Sequence, residues 1–141
     1  MKQINPHNTG PAGLEILLNE LGPELQLVSR KQLRKRWQNH ASDSSFWRAE
    51  KDGLLVPRRQ CGVLGYDWRS IWEYEGGQPP VGLEHAYRID LTTAEAIADL
   101  CPLSANSVKN LAKRGEIPFR QVGRVILFVP HEARTFLKRW A

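Results

Sequence analysis

The side chains best able to bind a ligand are basic and amide groups that recur at matching positions along the chain. Arg48 and Lys51 stand in one segment, and Asn110 and Lys113 stand 62 residues later in another. Guanidinium and ammonium groups donate hydrogen bonds to anions, and carboxamides both donate and accept them. The pattern therefore favours recognition of an anionic, hydrogen-bonding partner over covalent catalysis.

Catalytic and metal-binding patterns are missing from the sequence. None of the four histidines has an i,i+4 partner or a cysteine at metal-ligand spacing. Cys61 and Cys101 lie forty residues apart without a CxxC partner, which favours a buried thiol over a ligand or nucleophile. The segment 62–65 lacks the lysine that follows a phosphate-binding glycine loop. We therefore expect no enzyme activity, no metal site and no cofactor.

The candidate side chains belong to a unit that the chain uses twice. Residues 42–74 and 104–136 align at a constant offset of 62. Apolar class is kept where identity is not, as expected when one supersecondary unit is duplicated. Identical pairs include Ser42 and Ser104, Ser45 and Ser107, Gly53 and Gly115, and Arg58 and Arg120.

Both repeats are basic, although the chain before them is not. Residues 27–76 carry ten basic and six acidic side chains, residues 77–141 carry nine and six, and residues 1–26 carry a net charge of −2. The formal net charge of +5 suits a polyanion such as nucleic acid, and a solvated lysine- and arginine-rich surface is the alternative. No segment approaches the roughly 18 apolar residues of a membrane span. Residues 1–13 lack the apolar core of a signal peptide, so we expect a cytoplasmic protein.

The first repeat carries capping signals for two helices. Ser29 and Gln32 form a capping box, Ser42 is an N-cap, and Gly53 suits the left-handed residue after a helix. A hairpin and a last helix follow over residues 54–59, 63–66 and 67–74. The predicted buried positions are Leu33, Trp37, Phe46, Ala49, Ile71 and Tyr74.

The second repeat follows the same order. Thr92 and Glu95 predict a capping box, Ser104 caps the next helix, Gly115 ends it, and Pro130 begins the last helix. A hairpin over residues 117–122 and 125–129 turns at 123–124. The predicted buried positions are Ile97, Leu100, Cys101, Val108, Leu111, Ala133, Phe136 and Leu137, and we expect Trp68, Trp72 and Trp140 in the core or between the repeats.

These signals predict four segments: a leader with a short helix (1–22), repeat one (23–76), a linker (77–83) and repeat two (84–141). The linker can span at most about 25 Å, so the repeats are expected to be close neighbours. The first helices of the two repeats align only with a slip of one or two residues.

The order of helix, tight turn, helix ended by glycine, two-stranded wing and helix resembles a winged helix-turn-helix, and we predict two in tandem in a mainly α fold with small β-hairpin wings (α+β). Repeat two resembles the excisionase/MerR-type DNA-binding family over about fifty residues, through LTTAEA (91–96), SANSVK (104–109), RGEIP (114–118) and VGR (122–124). Repeat one resembles it less closely, and its hairpin tip QCGVLG (60–65) lacks the basic residue usual in the family.

The resemblance implies that the second helix of each repeat enters the major groove and that the wing touches phosphate or the minor groove. Arg48 then suits guanine, Asn106 or Asn110 suits adenine, and Arg124 suits phosphate or a narrow minor groove. The candidate contacts are Arg30, Lys31, Arg34, Ser44, Ser45, Arg48 and Lys51 in repeat one, and Ala105, Asn106, Ser107, Lys109, Asn110, Lys113, Arg120 and Arg124 in repeat two. A charged helix face that is merely solvated is the alternative, and Trp47 and Asp43 are less usual at a groove.

The function implied is that of a sequence-specific double-stranded DNA-binding protein of a bacterial or phage mobile element. It would act as an excisionase-like recombination directionality factor, a transcriptional regulator or both, in the nucleoid. Expected partners are double-stranded DNA, an integrase/recombinase or RNA polymerase, and further copies of the protein on DNA. The family's activators continue into a dimerising coiled coil, whereas this chain stops at Ala141, so the second repeat is expected to replace a second protomer. The alternative is a winged-helix scaffold that binds mainly protein, such as a phage DNA-packaging small subunit.

Overall fold

A computed structural model describes residues 26–140, which contain six α-helices and two small antiparallel sheets in an α+β arrangement. The helices are α1 (Arg30–Arg36), α2 (Asp43–Lys51), α3 (Trp68–Glu75), α4 (Ala94–Ala98), α5 (Ala105–Lys113) and α6 (Pro130–Leu137), with 3-10 turns at Ala86–Arg88 and Lys138–Trp140. The predicted leader helix lies outside the described residues. Within residues 26–140, no helix has the length and apolar character needed to cross a membrane.

The strands form two hairpins, one of which is extended by a third strand. They are β1 (Arg58–Gln60), β2 (Val63–Gly65), β3 (Thr92–Thr93), β4 (Arg120–Val122) and β5 (Val125–Phe128). β1 pairs antiparallel with β2, and the second sheet has the order β3-β5-β4. We call β1–β2 the first hairpin and β4–β5 the second hairpin.

The elements of the second half, residues 84–140, repeat those of the first half, residues 26–76. Shifted by 62 residues, α2 has the bounds of α5, β1 those of β4, and α3 those of α6. An isolated bridge between Val28 and Tyr66 takes the place of the pairing between Thr92 and Phe128. The repeated sequence therefore builds a repeated architecture.

The first helices of the two halves are out of register by two residues. Ser29 caps α1 and Thr93 caps α4, 64 residues apart, whereas the caps of α2 and α5 are 62 apart. The two extra residues fall in the turn after α1, where Gln38 and Asn39 adopt positive φ angles of 55° and 61°. The predicted slip is confirmed, and its cause is a longer first turn.

Capping side chains fix most helix starts as predicted. Ser29 Oγ accepts a hydrogen bond from the Gln32 backbone, and Gln32 Oε1 accepts one from the Ser29 backbone, at 3.1 and 2.8 Å. Ser42 and Ser104 cap α2 and α5 in the predicted way. The left-handed residues after these two helices are Gly53 (φ 72°) and Gly115 (φ 81°).

Two predictions near α4 are wrong, and the first strand is shorter than predicted. Thr92 pairs with Phe128 in the sheet, so Thr93 rather than Thr92 caps the helix. The helix ends two residues before Leu100, which leaves that side chain 72% exposed instead of buried. In the first half, only Arg58–Gln60 of the predicted strand 54–59 pairs with β2.

The apolar core consists of two clusters, and the first crosses between the halves. Its first-half members include Leu33, Trp37, Phe46, Leu55, Ile71 and Trp72, and its second-half members include Tyr87, Leu91, Val122, Leu127 and Val129. The second cluster contains Ala94, Ile97, Val108, Ala112, Ile117, Phe128, Ala133 and Phe136. Burying one large apolar side chain contributes about 1.5–3 kcal/mol, so the crossing residues stabilise the contact between the halves as well as each half.

Candidate nucleic-acid interface

The helix α5 presents the amide and basic side chains that were expected to read a ligand. Its buried face consists of Val108 and Ala112, which are packed in the second cluster. The opposite face leaves Asn106, Asn110 and Lys113 exposed to solvent. These three predicted residues therefore lie together on one accessible surface.

Two of the predicted serines hold the first turns of their helices. The backbone of Ser107 donates to Ser104 Oγ at 3.1 Å, and the backbone of Ser45 donates to Ser42 Oγ at 3.2 Å. Each hydroxyl also lies within hydrogen-bond distance of the capping hydroxyl, at 3.0 and 3.1 Å. Both are half-buried, as is Ala105, so Ser44 is the more accessible hydroxyl of the predicted set.

Lys109 lies half-buried on the same helix and pairs with an acidic side chain of α4. Its Nζ atom lies 3.4 Å from Glu95 Oε1. The pKa of Glu95 is lowered, first by a hydrogen bond from its own backbone and further by the charge of Lys109. Because Glu95 is exposed, solvent screens this pair and it contributes little to stability. Another anion can therefore replace Glu95 at low cost.

A groove of about 560 Å³ separates α5 from the second hairpin. Its charged and polar walls are formed by His40, Glu95, Lys109, Lys113, Gln121 and Arg124. Three permanent cations face one carboxylate there, which makes the groove basic. Arg124 stands at the exposed tip of the hairpin, where a guanidinium can reach an anion bound along α5.

The helix α2 presents a different surface at the equivalent positions. Arg48 is exposed where the second half has Asn110, and Lys51 is exposed where it has Lys113. Trp47, the counterpart of Lys109, is 59% exposed, and its ring centroid lies 4.9 Å from Lys51 Nζ. The first half thus offers an aromatic ring and a guanidinium where the second offers an ammonium group and an amide.

The basic residues of α1 are engaged unequally. Arg30 donates to Tyr66 Oη at 3.1 Å and to both oxygens of Glu50 at 3.0 and 3.1 Å. These hydrogen bonds, led by the one to Tyr66, raise the pKa of Arg30. Arg34 pairs with Asp43, and Lys31 is exposed. A phosphate would have to displace Glu50 to bind Arg30, whereas Lys31 is directly accessible.

Arg120 does not face solvent, and the prediction that it contacts DNA is wrong. It is 6% exposed, because β4 packs against α3 of the first half. Its Nε atom donates to Glu75 Oε1 at 3.2 Å, and Nη2 donates to the carbonyls of Trp72 and Gly77 at 2.8 and 2.7 Å. All three contacts lie inside the protein, so its guanidinium is committed to the contact between the halves.

Glu75, which the sequence analysis did not single out, is the centre of this buried network. Arg36 donates to its two oxygens at 2.8 and 2.9 Å, and Trp37 Nε1 donates at 2.6 Å. A signal was present in the sequence, since Glu75 follows the buried Ile71 by four residues on the same helix face. Its partners are 38 to 45 residues away, so no local pattern identifies them.

Comparison of the chain with protein-family models, with curated proteins and with solved structures gave no match. Over the part of the chain that the structure describes, no group of three or more His, Cys, Asp or Glu side chains is placed to hold a metal ion. The functional assignment therefore depends on the surface chemistry of α2, α5 and the second hairpin.

Proposed function

We propose that the protein binds double-stranded DNA sequence-specifically through two winged helix-turn-helix units, one in each half. The supporting observation is the equivalence of α2 and α5, which share bounds at an offset of 62 and expose polar faces beside a hairpin. An α-helix fits the major groove, where base edges carry a distinct donor and acceptor pattern. The excess of basic side chains in both halves suits the phosphate backbone.

In the second half, α5 is the reading helix and the second hairpin is its wing. Asn106 and Asn110 are assigned to adenine edges, because a carboxamide pairs with the N6 and N7 positions. Lys109 leaves Glu95 to bind guanine or phosphate. Lys113 and Arg124 close on the phosphates that border the groove beside α5, which places the duplex across that groove.

In the first half, α2 reads the adjacent sub-site. Arg48 is assigned to guanine, whose O6 and N7 atoms accept the two donors of a guanidinium. Ser44 and Lys51 flank it on the same exposed side, and Lys31 reaches phosphate from α1. Linking the two readers raises the effective concentration of the second once the first is bound.

The biological role we infer is that of an excisionase-like recombination directionality factor, a transcriptional regulator or both, encoded by a bacterial or phage mobile element. Its protein partners would be an integrase/recombinase or RNA polymerase, and it would act in the nucleoid. Both roles require the same DNA-binding surface, so the position of the site separates them. Protection inside an attachment site favours the first role, and protection confined to a promoter favours the second.

The test is a footprint over the DNA upstream of the protein's own gene and over any neighbouring integrase gene. We expect wild-type protein to protect two adjacent sub-sites, with one lost in Arg48→Ala and the other in Lys109→Ala. Arg134→Ala, which removes an exposed positive charge from α6, is the matched control and should leave both intact. Absence of protection by wild-type protein at about 100 mM salt contradicts the proposal.

A second candidate function, a scaffold that binds mainly protein, is favoured by the surface of the first hairpin. Leu54, Val56, Val63 and Leu64 are all exposed there, and apolar side chains grouped on a surface mark protein contacts. Assembly of the purified protein into rings, measured by light scattering without DNA, would support the scaffold. A monomer that shifts a specific duplex would support DNA reading.

A further inference from the structure

We propose that Glu75 and Arg120 hold the two reading helices at one fixed separation, so that the interface and not the linker sets the spacing between DNA sub-sites. This inference rests on the proposed DNA-binding function. It assigns a positioning role to two residues that do not touch DNA.

The first support is the buried charge network between the halves. Arg36 and Arg120 approach Glu75 from opposite halves, and all three side chains are at most 6% exposed. Remaining guanidinium donors are satisfied by backbone carbonyls, including that of Ile89 at 2.7 Å from Arg36 Nη1. Hydrogen bonds of this kind fix direction as well as distance, because a guanidinium is planar and its donors diverge at set angles.

The second support is the apolar contact that surrounds this network. Val122 and Leu127 of the second hairpin are buried in the first core cluster. The backbone of Leu91 donates to the carbonyl of Arg36 at 3.0 Å, which ties the start of the second half to the end of α1. Close-packed interiors transmit position and resist sliding, so the halves behave as one body.

The third support is the location of the second hairpin between the two reading helices. Gln121 borders two grooves, one shared with Lys109 and His40, the other with Gly53. His40 precedes α2 and Gly53 follows it, so the hairpin lies alongside α2 on one side and α5 on the other. It therefore acts as a spacer whose position depends on Arg120.

The linker has little structure that could take over this role. Val81 is 98% exposed, and the segment around it forms an open turn. A chain held by such a linker alone would accept several spacings between sub-sites. A fixed interface accepts one, because each added base pair rotates the second sub-site by about a tenth of a turn.

The DNA test selects binding sites from a random duplex pool of about 40 base pairs, roughly four helical turns. Three proteins are compared: wild type, a variant with Gly-Ser inserted after Val81, and Arg120→Met. We expect one sub-site spacing for wild type and the same spacing for the insertion. Arg120→Met should enrich both sub-sites at several spacings, while Arg36 and Glu75 remain paired in its core.

A spacing that broadens or shifts in the insertion variant overturns the inference and leaves DNA binding intact. Enrichment of a single sub-site by wild type also overturns it. No enrichment by wild type contradicts the proposed function itself.

A second measurement needs no DNA. Nitroxide labels at Ser44→Cys and Asn106→Cys, in a chain carrying Cys61→Ser and Cys101→Ser, report the distance between α2 and α5. We expect a narrow distribution for wild type and the insertion, and a broad one for Arg120→Met. An unchanged distribution in Arg120→Met, or a changed one in the insertion variant, refutes the positioning role.

Discussion

Arg58 and Arg120 occupy equivalent positions in the two hairpins, yet they bind in different places. Arg58 Nη1 lies 3.0 Å from Asp67 Oδ2 in its own half and is about half exposed. Arg120 is buried against the other half and donates to Glu75. Sixty-two residues apart in a repeated unit, one arginine supports its own hairpin and the other joins the two units.

Replacing Glu75 with glutamine should destabilise the protein severely. The change leaves the two guanidinium groups of Arg36 and Arg120 buried without an anion, a loss of about 3–5 kcal/mol in the free energy of unfolding. Urea unfolding followed by tryptophan fluorescence measures it. Glu73→Gln, on the exposed side of the same helix, should change stability by less than about 0.5 kcal/mol.

Replacing Lys109 with alanine should weaken DNA binding and reduce its dependence on salt. If the lysine binds phosphate, the slope of log K against log salt should fall by about 1, because one fewer counterion is released. Fluorescence anisotropy at several salt concentrations gives the slope. Lys138→Ala, a matched loss of an exposed charge after α6, should not change it. A slope that stays constant while affinity falls would assign Lys109 to a base instead.

Trp47 should confer a preference for thymine in the sub-site read by α2. Its exposed ring is suited to contact with the thymine methyl group. Replacing one thymine with uracil should cost about 0.8 kcal/mol, roughly fourfold in affinity, for wild type and nothing for Trp47→Ala. The comparison is made by titrating matched duplexes, one thymine at a time. Equal effects of uracil on both proteins would remove Trp47 from the interface.

Stability should fall at alkaline pH because of buried tyrosines. Burial raises the pKa values of Tyr66, Tyr74 and Tyr87 above the ordinary 10.0. The unfolded chain then loses these protons first, so stability is full below about pH 10 and declines as pH rises through the folded values. Unfolding measured from pH 8 to 11 should show a smaller decline in Tyr74→Phe. An identical decline would exclude that residue as a source.

Local sequence signals predicted the elements better than their contacts. The pair Ser29 and Gln32 and the glycines after α2 and α5 fixed helix ends, because capping acts within one turn. Thr92 was misassigned because a distant strand competed for its backbone, a pairing that no nearby residue indicates. The exposed polar face of α5 followed from its periodicity. Arg120 was misassigned for the same long-range reason, since its burial depends on a helix 45 residues away.

The carboxylate of Glu75 also gives the duplicated architecture a direction and a stopping point. The residue 62 positions later is Leu137, which can accept no hydrogen bond from an arginine. A third unit docked by the same geometry would bury its hairpin arginine against an aliphatic side chain, at the cost of an unpaired charge. The contact between the halves therefore cannot propagate, and it makes a closed pair where an unchanged repeat would have allowed an open-ended array.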